Sequence, residues 1–470
     1  MKILSKVMRI LIYVLPAVLF FSYYPVISLG NDESMNFELS LPLVWLMVFD
    51  VLFVVTIFIQ KRWREVWKDI CTSWKWLLLP GFITITILWS LNMVRGILTC
   101  GIMWLVAISI YGMIKMKATL CKNYDERVFG DVFLKMFLVS SLLICVWCVT
   151  QCVLDTLGVS AKYTLMCKGC TVRMFGFPHP NGFAIEPQFM GNLLLAPAVV
   201  TAWLAIKNDS KCCKNYNISK FFSFRFLLSC FFVIVATLFL TFSRGAIYGF
   251  AVGMMFMTGY VIVRYGRAMW KRLGIVWGLM ILAFLATLNV QGILTQVGPT
   301  KDTYIDGVAK VLNQLSLGII EVRSEKVVEN SEEGEEAVFD GYVEESTGIR
   351  MELTKNAFLV WGRDLKTMLF GVGIGGAGRA MYEAGLTGSP KEIVQNEYAS
   401  LLAETGIVGV GLLVVLVVMV VKALTKSQYA GMLFTLFVMY GVTLLFFSGF
   451  ANALQIYLMP GVLYAVLEQH

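Results

Sequence analysis

The sequence has few charged residues and almost no histidine. Of its 470 residues 15% are charged, and only His179 and His470 are histidines. Soluble domains carry about 25% charged residues, so this composition excludes an ordinary soluble domain. The sequence also lacks H-E-x-x-H, G-x-S-x-G and clustered D-x-D motifs. It therefore gives no support for a metal-dependent or serine-hydrolase mechanism, and we predict neither a metal nor another cofactor.

Long apolar runs dominate instead, since 58% of the residues are hydrophobic. About twelve runs approach the ~20 residues that a helix needs to cross a bilayer. We predict an all-α polytopic membrane protein, and we expect its first run to be retained because no small-residue cleavage site follows it. The predicted spans are 8–29, 39–60, 77–93, 96–114, 132–154, 183–206, 226–242, 246–263, 273–291, 397–421, 429–447 and 449–466.

Lysine and arginine cluster in every second loop. The loop after the second predicted span reads "KRWREVWKDICTSWK", whereas the loop before that span, "GNDESMNFE", has no positive charge. The positive-inside rule then places both termini in the cytoplasm. The net charge of +8 follows from this topology and needs no nucleic-acid partner. We divide the chain into spans one to nine (1–291), one large outer loop (292–396) and spans ten to twelve (397–470).

Arg244 interrupts the apolar stretch "TLFLTFSRGAIYGFAVG". A charge within hydrocarbon costs roughly 2.5–3.5 kcal/mol even on the mildest insertion scale. The predicted topology places Arg244 at an outer turn between two spans, away from the middle of the bilayer. Two interpretations are open there: an anchor whose guanidinium reaches the headgroups, or a binding site for an anion.

A broken segment precedes the sixth span. Prolines and glycines in "RMFGFPHPNGFAIEPQFMGN" prevent a continuous helix, and irregular backbone at membrane depth is tolerated where it lines a cavity or is buried in protein. Glu186 is either a partner of the helix dipole or a carboxylate of the site. His179 is either incidental or catalytic, and Arg173 lies in the same segment.

The large outer loop has an acidic middle, "EVRSEKVVENSEEGEEAVFDGYVEE", which we predict to be solvated. Both flanks show helical periodicity and would form amphipathic helices that cover the outer mouth. G-x-G-x-x-G runs from Gly373 to Gly378, but no βαβ unit surrounds it. We predict a turn that brings backbone N–H groups near a ligand, with Arg379 directly after it.

Cys167 and Cys170 form a C-x-x-C pair in a predicted outer loop. No second Cys or His pair is placed to complete a tetrahedral zinc site. The pair therefore indicates either a small disulfide or free thiols.

Several motifs in this order resemble the O-antigen ligase and polymerase superfamily. They are "EPQFMGN", "TFSRGA", the large outer loop, "LFGVGIGG" and "VQNEYASLLAETGIVGVGLLV", and they span about 183–425. The resemblance implies a GT-C-class glycosyltransferase that uses a glycan on undecaprenyl diphosphate at the outer, periplasmic face of the bacterial inner membrane. It implies that Arg244 and Arg350 bind the diphosphate.

The sequence departs from the ligase pattern at Gln395 and Asn396, where ligases have His-Asn. Glutamine cannot accept a proton as a general base, so we favour a polysaccharide polymerase that extends a lipid-linked repeat unit. A ligase that transfers glycan to lipid A core or protein is the alternative, and a transporter or flippase is less favoured.

The chemistry requires cations for the leaving diphosphate and a group for the acceptor proton. Arginine is always charged and matches phosphate oxygens bidentately. Glu186, Glu397 and His179 are the candidate bases. We expect Arg173, His179, Arg379, Gln395 and Asn396 to contribute to substrate binding. The expected partners are the lipid-linked oligosaccharide and membrane lipids, with a chain-length regulator as a further candidate.

Overall fold

The computed structural model of the chain describes residues 2–23, 26–32, 35–120, 126–207, 222–300, 302–317, 319, 342–449 and 454–468. Structural statements below refer to these residues. Most of the predicted acidic middle of the large loop lies outside them, and so does His470.

Helices form most of the described chain, and one pair of strands accompanies them. Numbered in chain order, the first half contains α1 (Lys2–Leu19), β1 (Val26–Asp32), β2 (Met35–Ser40), α2 (Leu41–Ile59), α3 (Trp63–Thr72), α4 (Leu78–Ile85), α5 (Met93–Leu120), α6 (Glu126–Thr156), α7 (Ala161–Thr164), α8 (Val172–Phe175) and α9 (Pro187–Lys207). The second half contains α10 (Phe224–Leu240), α11 (Arg244–Tyr265), α12 (Trp270–Val297), α13 (Tyr304–Leu315), α14 (Tyr342–Trp361), α15 (Leu365–Phe370), α16 (Ala377–Glu383), α17 (Glu397–Leu424), α18 (Ala430–Thr443) and α19 (Leu454–Leu467).

Six helical segments of the described chain are long and apolar enough to cross a membrane, or seven if the bent pair Trp63–Thr72 and Trp74–Trp89 counts as one span. One of the six, Arg244–Val297, contains both α11 and α12, which meet at Gly266 with φ 64°. Helices α10, α18 and α19 are apolar but shorter. The chain is therefore a multi-pass membrane protein, and the count of about twelve spans stays a prediction.

The start of the chain differs from the prediction. The predicted first span, 8–29, ends early because α1 stops at Leu19 and a strand begins at Val26. This strand pairs antiparallel with β2, so that Val26 lies opposite Ser40. The β-branched pair Val26 and Ile27 favours a strand over a helix. The first helix of the described chain that is both long and apolar enough to cross a membrane is α2.

Helix α9 is the centre of the packed helices. All of its residues except Gln188 are buried, and it packs against α10, α11 and α18. Pro187 is suited to the first helical position, where no intrahelical N–H bond is lost. A Cβ atom on Gly191 would lie 2.8 Å from the Cβ of Ser243. The missing side chain therefore lets the first turns of α9 lie against the start of α11.

Helices α11 and α18 are in close contact through glycines. A Cβ atom on Gly249 would lie 2.8 Å from the carbonyl oxygen of Met439, and one on Gly245 would lie 2.9 Å from the Cβ of Phe446. Small residues at a helix interface allow the backbones to approach closely. The start of α11, which carries Arg244, is thereby held beside residues 444–449, the segment that follows α18.

Both flanks of the large loop are helical, as predicted, but the second flank is divided into α14 and α15 because a new helix begins after its N-cap, Asp364. Helix α13 begins with a capping box in which Thr303 and Asp306 satisfy each other's backbone N–H groups. Helix α14 packs against α16 and α17. The large loop therefore contributes a helix, α14, that packs against the long apolar helix α17.

Candidate functional site

Arg244 is buried at the first position of α11, where only 7% of it is exposed. A tight turn leads to it, with Phe242 at φ 46°. Its guanidinium donates two hydrogen bonds to hydroxyl groups at the start of α14. The distances are 3.1 Å from Nη1 to Thr347 Oγ1 and 3.3 Å from Nη2 to Ser346 Oγ. Arg244 is thus held by the large loop rather than by an acidic side chain in these contacts.

Arg350 lies about one helical turn further along α14. Because residues three and four apart share a helix face, Arg350 projects from the same face as Ser346 and Thr347. Its Nη2 donates to Gln188 Oε1 over 3.3 Å. The structure therefore brings Arg244 and Arg350, which are far apart in sequence, to one face of α14 beside the first turn of α9.

Gln188 connects three parts of this site and was not among the predicted site residues. Its Oε1 accepts from Arg350, and its Nε2 donates to the carbonyl oxygen of Phe446 over 2.9 Å. Gln188 follows Glu186 and Pro187 at the start of α9, and the "EPQF" motif was noted for its glutamate. The available signal was a carboxamide in the first turn of a helix whose residues are mostly apolar.

Glu397 is the first residue of α17 and supports the same region. Its carboxylate accepts from Tyr457 Oη over 2.8 Å and from the backbone N–H of Gly449 over 2.8 Å. Its own N–H donates to the carbonyl oxygen of Leu444. One carboxylate oxygen and the N–H of Glu397 therefore hold the segment that contains Phe446, and the other oxygen holds α19, which makes Glu397 a support for the site in these contacts.

The neighbours of Glu397 have different environments. Asn396 caps α17, because its Oδ1 accepts from the N–H groups of Tyr398 and Ala399, each over 3.1 Å. Gln395 is half-buried just before the cap. The amide of Asn396 is thus engaged in stabilising the helix start.

Two predicted residues of the broken segment are exposed. Glu186 lies directly before α9, two residues from Gln188. Arg173 is part of the short helix α8, and its Nη2 lies near Gly158 at the end of α6. Glu186 is therefore close in sequence to Gln188, the partner of Arg350, whereas Arg173 extends toward α6.

His179 is buried among aromatic rings. Its ring centroid lies 4.3 Å from that of Phe175, 4.5 Å from that of Phe177 and 5.2 Å from that of Phe242. Burial lowers the pKa of the imidazole to about 3. Within the described residues its Nε2 has no hydrogen-bond partner. A neutral ring in this position packs beneath the turn that carries Arg244.

The glycine-rich loop 371–378 is used for protein packing. The N–H groups of Gly373, Ile374 and Ala377 donate to the carbonyl oxygen of Glu404, to Thr86 Oγ1 and to the carboxylate of Glu404. A Cβ atom on Gly373 would lie 2.4 Å from the Cα of Ser90. The prediction that this turn presents its N–H groups to a ligand is wrong for these groups, because protein oxygens already accept from them.

Arg379 lies on the surface, away from these hydrogen bonds. Half-exposed, it forms an ion pair with Glu383 one turn along α16, with 2.9 Å between Nε and Oε1. Such exposed pairs contribute little to stability. Arg379 therefore offers a matched comparison for the two clustered arginines.

The site gathers two guanidinium groups, two hydroxyls and one carboxamide, and the exposed Glu186 is two residues before the carboxamide in sequence. Among the described residues no group of three or more His, Cys, Asp or Glu side chains is arranged to hold a metal ion. Two clustered guanidinium groups form forked donors for an anion with several oxygens.

Comparison with protein families matches residues 229–414 to the family described as O-Antigen ligase. The matched range begins within α10 and ends within α17, so it includes Arg244 and Arg350. No curated protein and no solved structure matches the chain.

Proposed function

We propose that this membrane protein, whose residues 229–414 match the family described as O-Antigen ligase, is a polysaccharide polymerase. It would transfer undecaprenyl-diphosphate-linked glycan onto a lipid-linked repeat unit. The match supports lipid-linked glycan as the substrate class and glycan transfer as the reaction class. The choice of polymerase rests on Gln395, which replaces the histidine of the ligase pattern and cannot serve as a base.

The observation that carries the proposal is the gathering of Arg244 and Arg350 on one face of α14. Cleavage of a sugar–diphosphate bond builds negative charge on the leaving diphosphate. Fixed guanidinium groups stabilise that charge without reorganisation during the reaction, and loss of one such donor typically costs about 10²–10³ in rate. In this proposal the two arginines bind the diphosphate directly, with no metal.

Glu186 is our choice for the group that accepts the proton of the acceptor hydroxyl. It is exposed and two residues from Gln188, so an acceptor sugar can reach it. His179 is buried among phenyl rings, and both oxygens of Glu397 already accept hydrogen bonds. We therefore assign packing to His179 and a positioning role to Glu397.

The proposed topology is a GT-C-like arrangement of about twelve spans in the bacterial inner membrane, with both termini in the cytoplasm. Residues 1–291 and 397–470 would form the spans, and 292–396 the periplasmic loop. The support is the alternation of basic loops together with the apolar helices α10, α18 and α19, which are short but contribute buried residues to the core. The arginine pair would then face the periplasm.

The test compares Arg244→Ala and Arg350→Ala with Arg379→Ala in cells that lack the native protein. The first two variants should be inserted and expressed normally but lose long polymer, whereas the third should keep it. Polymer of normal length with both Arg244→Ala and Arg350→Ala would refute the proposal. Arg379 is the control because its guanidinium is paired with Glu383 on the surface, and the proposal therefore assigns it no contact with the substrate.

A ligase is the second candidate, because the description of the matched family names that activity. The two reactions differ in the product that accumulates when the enzyme is lost. Without a polymerase, single repeats are still attached to the final acceptor; without a ligase, none are. Analysis of the acceptor-linked glycan in a deletion strain therefore separates the two.

A further inference from the structure

Cys167 and Cys170 lie next to each other on a short turn before the broken segment. The N–H of Cys170 donates to the carbonyl oxygen of Cys167 over 3.0 Å, and the two thiols are hydrogen-bonded to each other. Both are half-buried, and the two residues between them, Lys168 and Gly169, are exposed. A reagent from solvent can therefore reach the pair.

This pair is distinct from the other described cysteines. Cys145, Cys148, Cys152 and Cys230 are buried, as is Cys100, while Cys71 is exposed on α3. Buried thiols are inert packing residues, whereas accessible pairs in C-x-x-C turns undergo exchange. The described chain thus offers one accessible vicinal pair.

The turn is also attached to the segment that leads to the arginine pair. The carbonyl oxygen of Cys170 accepts from the N–H of His179 over 2.9 Å. The N–H of Cys167 donates to Asn181 Oδ1 over 3.3 Å, and Asn181 Nδ2 donates to the carbonyl oxygen of Leu165 over 3.2 Å. A bond between the two sulfurs would stiffen the turn to which this segment is bound.

We propose that Cys167 and Cys170 form a thiol–disulfide exchange site whose substrate is an external small-molecule disulfide. The Cys167 thiolate attacks the external disulfide and forms a mixed disulfide, and one external thiol leaves with the proton. Cys170 then attacks the sulfur of Cys167, which forms the Cys167–Cys170 bond and releases the second external thiol. Two electrons and two protons pass from the pair to the external disulfide.

The proposed order, in which Cys167 attacks first and Cys170 second, agrees with the pKa shifts of the two thiols. The hydrogen bond from Cys170 lowers the pKa of Cys167, and the same contact raises the pKa of Cys170 well above its ordinary value. The group with the larger thiolate fraction attacks first. The exchange itself does not depend on the proposed glycan transfer; only access from the periplasm rests on the proposed topology.

The experiment treats the reduced full-length protein, purified in detergent, with glutathione disulfide and maps the products by mass spectrometry. The native protein should form the Cys167–Cys170 disulfide and retain no glutathione on either of these two cysteines, whatever happens at Cys71. Cys170→Ser should accumulate one glutathione on Cys167, while Cys167→Ser should react at Cys170 at least several-fold more slowly. Cys71→Ser, the exposed control, should behave like the native protein.

Two outcomes would overturn the inference: a native pair that stays reduced, or a Cys170→Ser variant modified at Cys71 but not at Cys167. Thermal unfolding measures whether the disulfide stabilises the turn to which the broken segment is bound. Oxidation should raise the Tm of the native protein by a few degrees and leave that of Cys167→Ser/Cys170→Ser unchanged. Because no glycan substrate is present, failure here is separate from failure of the polymerase proposal.

Discussion

Arg350 donates a hydrogen bond to Gln188, with 3.3 Å between Nη2 and Oε1. The amide is fixed at its other end, since Nε2 donates to the carbonyl oxygen of Phe446 over 2.9 Å. In this contact the partner of Arg350 is a neutral group. A carboxylate would hold the guanidinium more strongly, but it would also neutralise the charge that the proposed diphosphate needs.

The first prediction concerns Gln188. Gln188→Leu removes both hydrogen bonds, and because a hydrogen bond to a charged group is worth about 1.5–3 kcal/mol, we expect a loss of about 10–100-fold in kcat/KM for the lipid-linked donor. Gln188→Glu should be worse than Gln188→Leu, since its charge competes with the diphosphate. Polymer formation in proteoliposomes measures both.

Gln60→Leu is the matched control, because Gln60 is a half-buried glutamine at the end of α2. It should retain more than a third of the native rate. Equal activity of Gln188→Glu and the native protein would show that a negative charge at this position is harmless, which is inconsistent with diphosphate binding by Arg350.

The comparison of sequence and structure is clearest for the two arginines. The sequence motifs predict that each arginine is important. They do not predict that the two side chains lie together at α14, because that depends on the packing of segments about a hundred residues apart. Once α14 is known, Ser346 and Thr347 follow from helical spacing, as they precede Arg350 by four and three residues. The role of Gln188 could not be predicted without knowing which residues the first turn of α9 contacts.

Other differences have local causes. The glycines of the loop 371–378 are explained by backbone packing, since a Cβ atom on Gly378 would lie 2.3 Å from the carbonyl oxygen of Glu392. A motif alone cannot distinguish this reason from ligand binding. The strands at 26–32 and 35–40 were missed because the apolar run of the first helix continues into β-branched residues.

His179 provides the second prediction, a dependence of stability on pH. The folded pKa of about 3 lies below the ordinary value of 6.5, because burial disfavours the charged ring. Between these values the unfolded chain binds a proton that the folded chain does not, so the free energy of unfolding decreases as the pH falls from 6.5 toward 3. At pH 5 the loss should be about 2 kcal/mol relative to pH 7.5.

His179→Phe and His179→Leu should lose this part of the pH dependence, as measured by thermal unfolding in detergent across the range from about pH 5 to 7.5. Two variants are used because a phenyl ring could overpack the aromatic group around Phe177. Unchanged pH dependence in both variants would mean that His179 is not the titrating group.

The third prediction concerns the contact between α11 and α18. A side chain at Gly249 would meet the backbone of Met439, whereas nothing lies within 4 Å of a Cβ atom at Gly259 in the same helix. Gly249→Ala should therefore destabilise the protein by about 1–3 kcal/mol through overpacking. Gly259→Ala should be neutral or stabilising, because alanine has the higher helix propensity.

Thermal unfolding of the two alanine variants checks this contrast. Gly249→Ala should also reduce polymer formation, since the same helix contact holds Arg244 beside residues 444–449. Equal stability of the two variants would contradict the close approach of α11 and α18.

The fourth prediction distinguishes a positioning role from a catalytic role for Glu397. Its two oxygens accept from Tyr457 Oη and from the N–H of Gly449. Glu397→Gln presents one N–H group to a donor, so one hydrogen bond is lost and the free energy of unfolding should fall by about 1–3 kcal/mol. The polymerisation rate should fall by less than tenfold, because Gln188 and both arginines stay in place.

Tyr457→Phe removes the partner of Oε1 and should cause a similar loss of stability. The double variant should lose less than the sum of the two single losses, since both changes break the same contact. A general base behaves differently: its removal costs about 10²–10⁴ in rate and need not change stability. If Glu397→Gln were a hundred times slower but as stable as the native protein, Glu397 rather than Glu186 would be the general base.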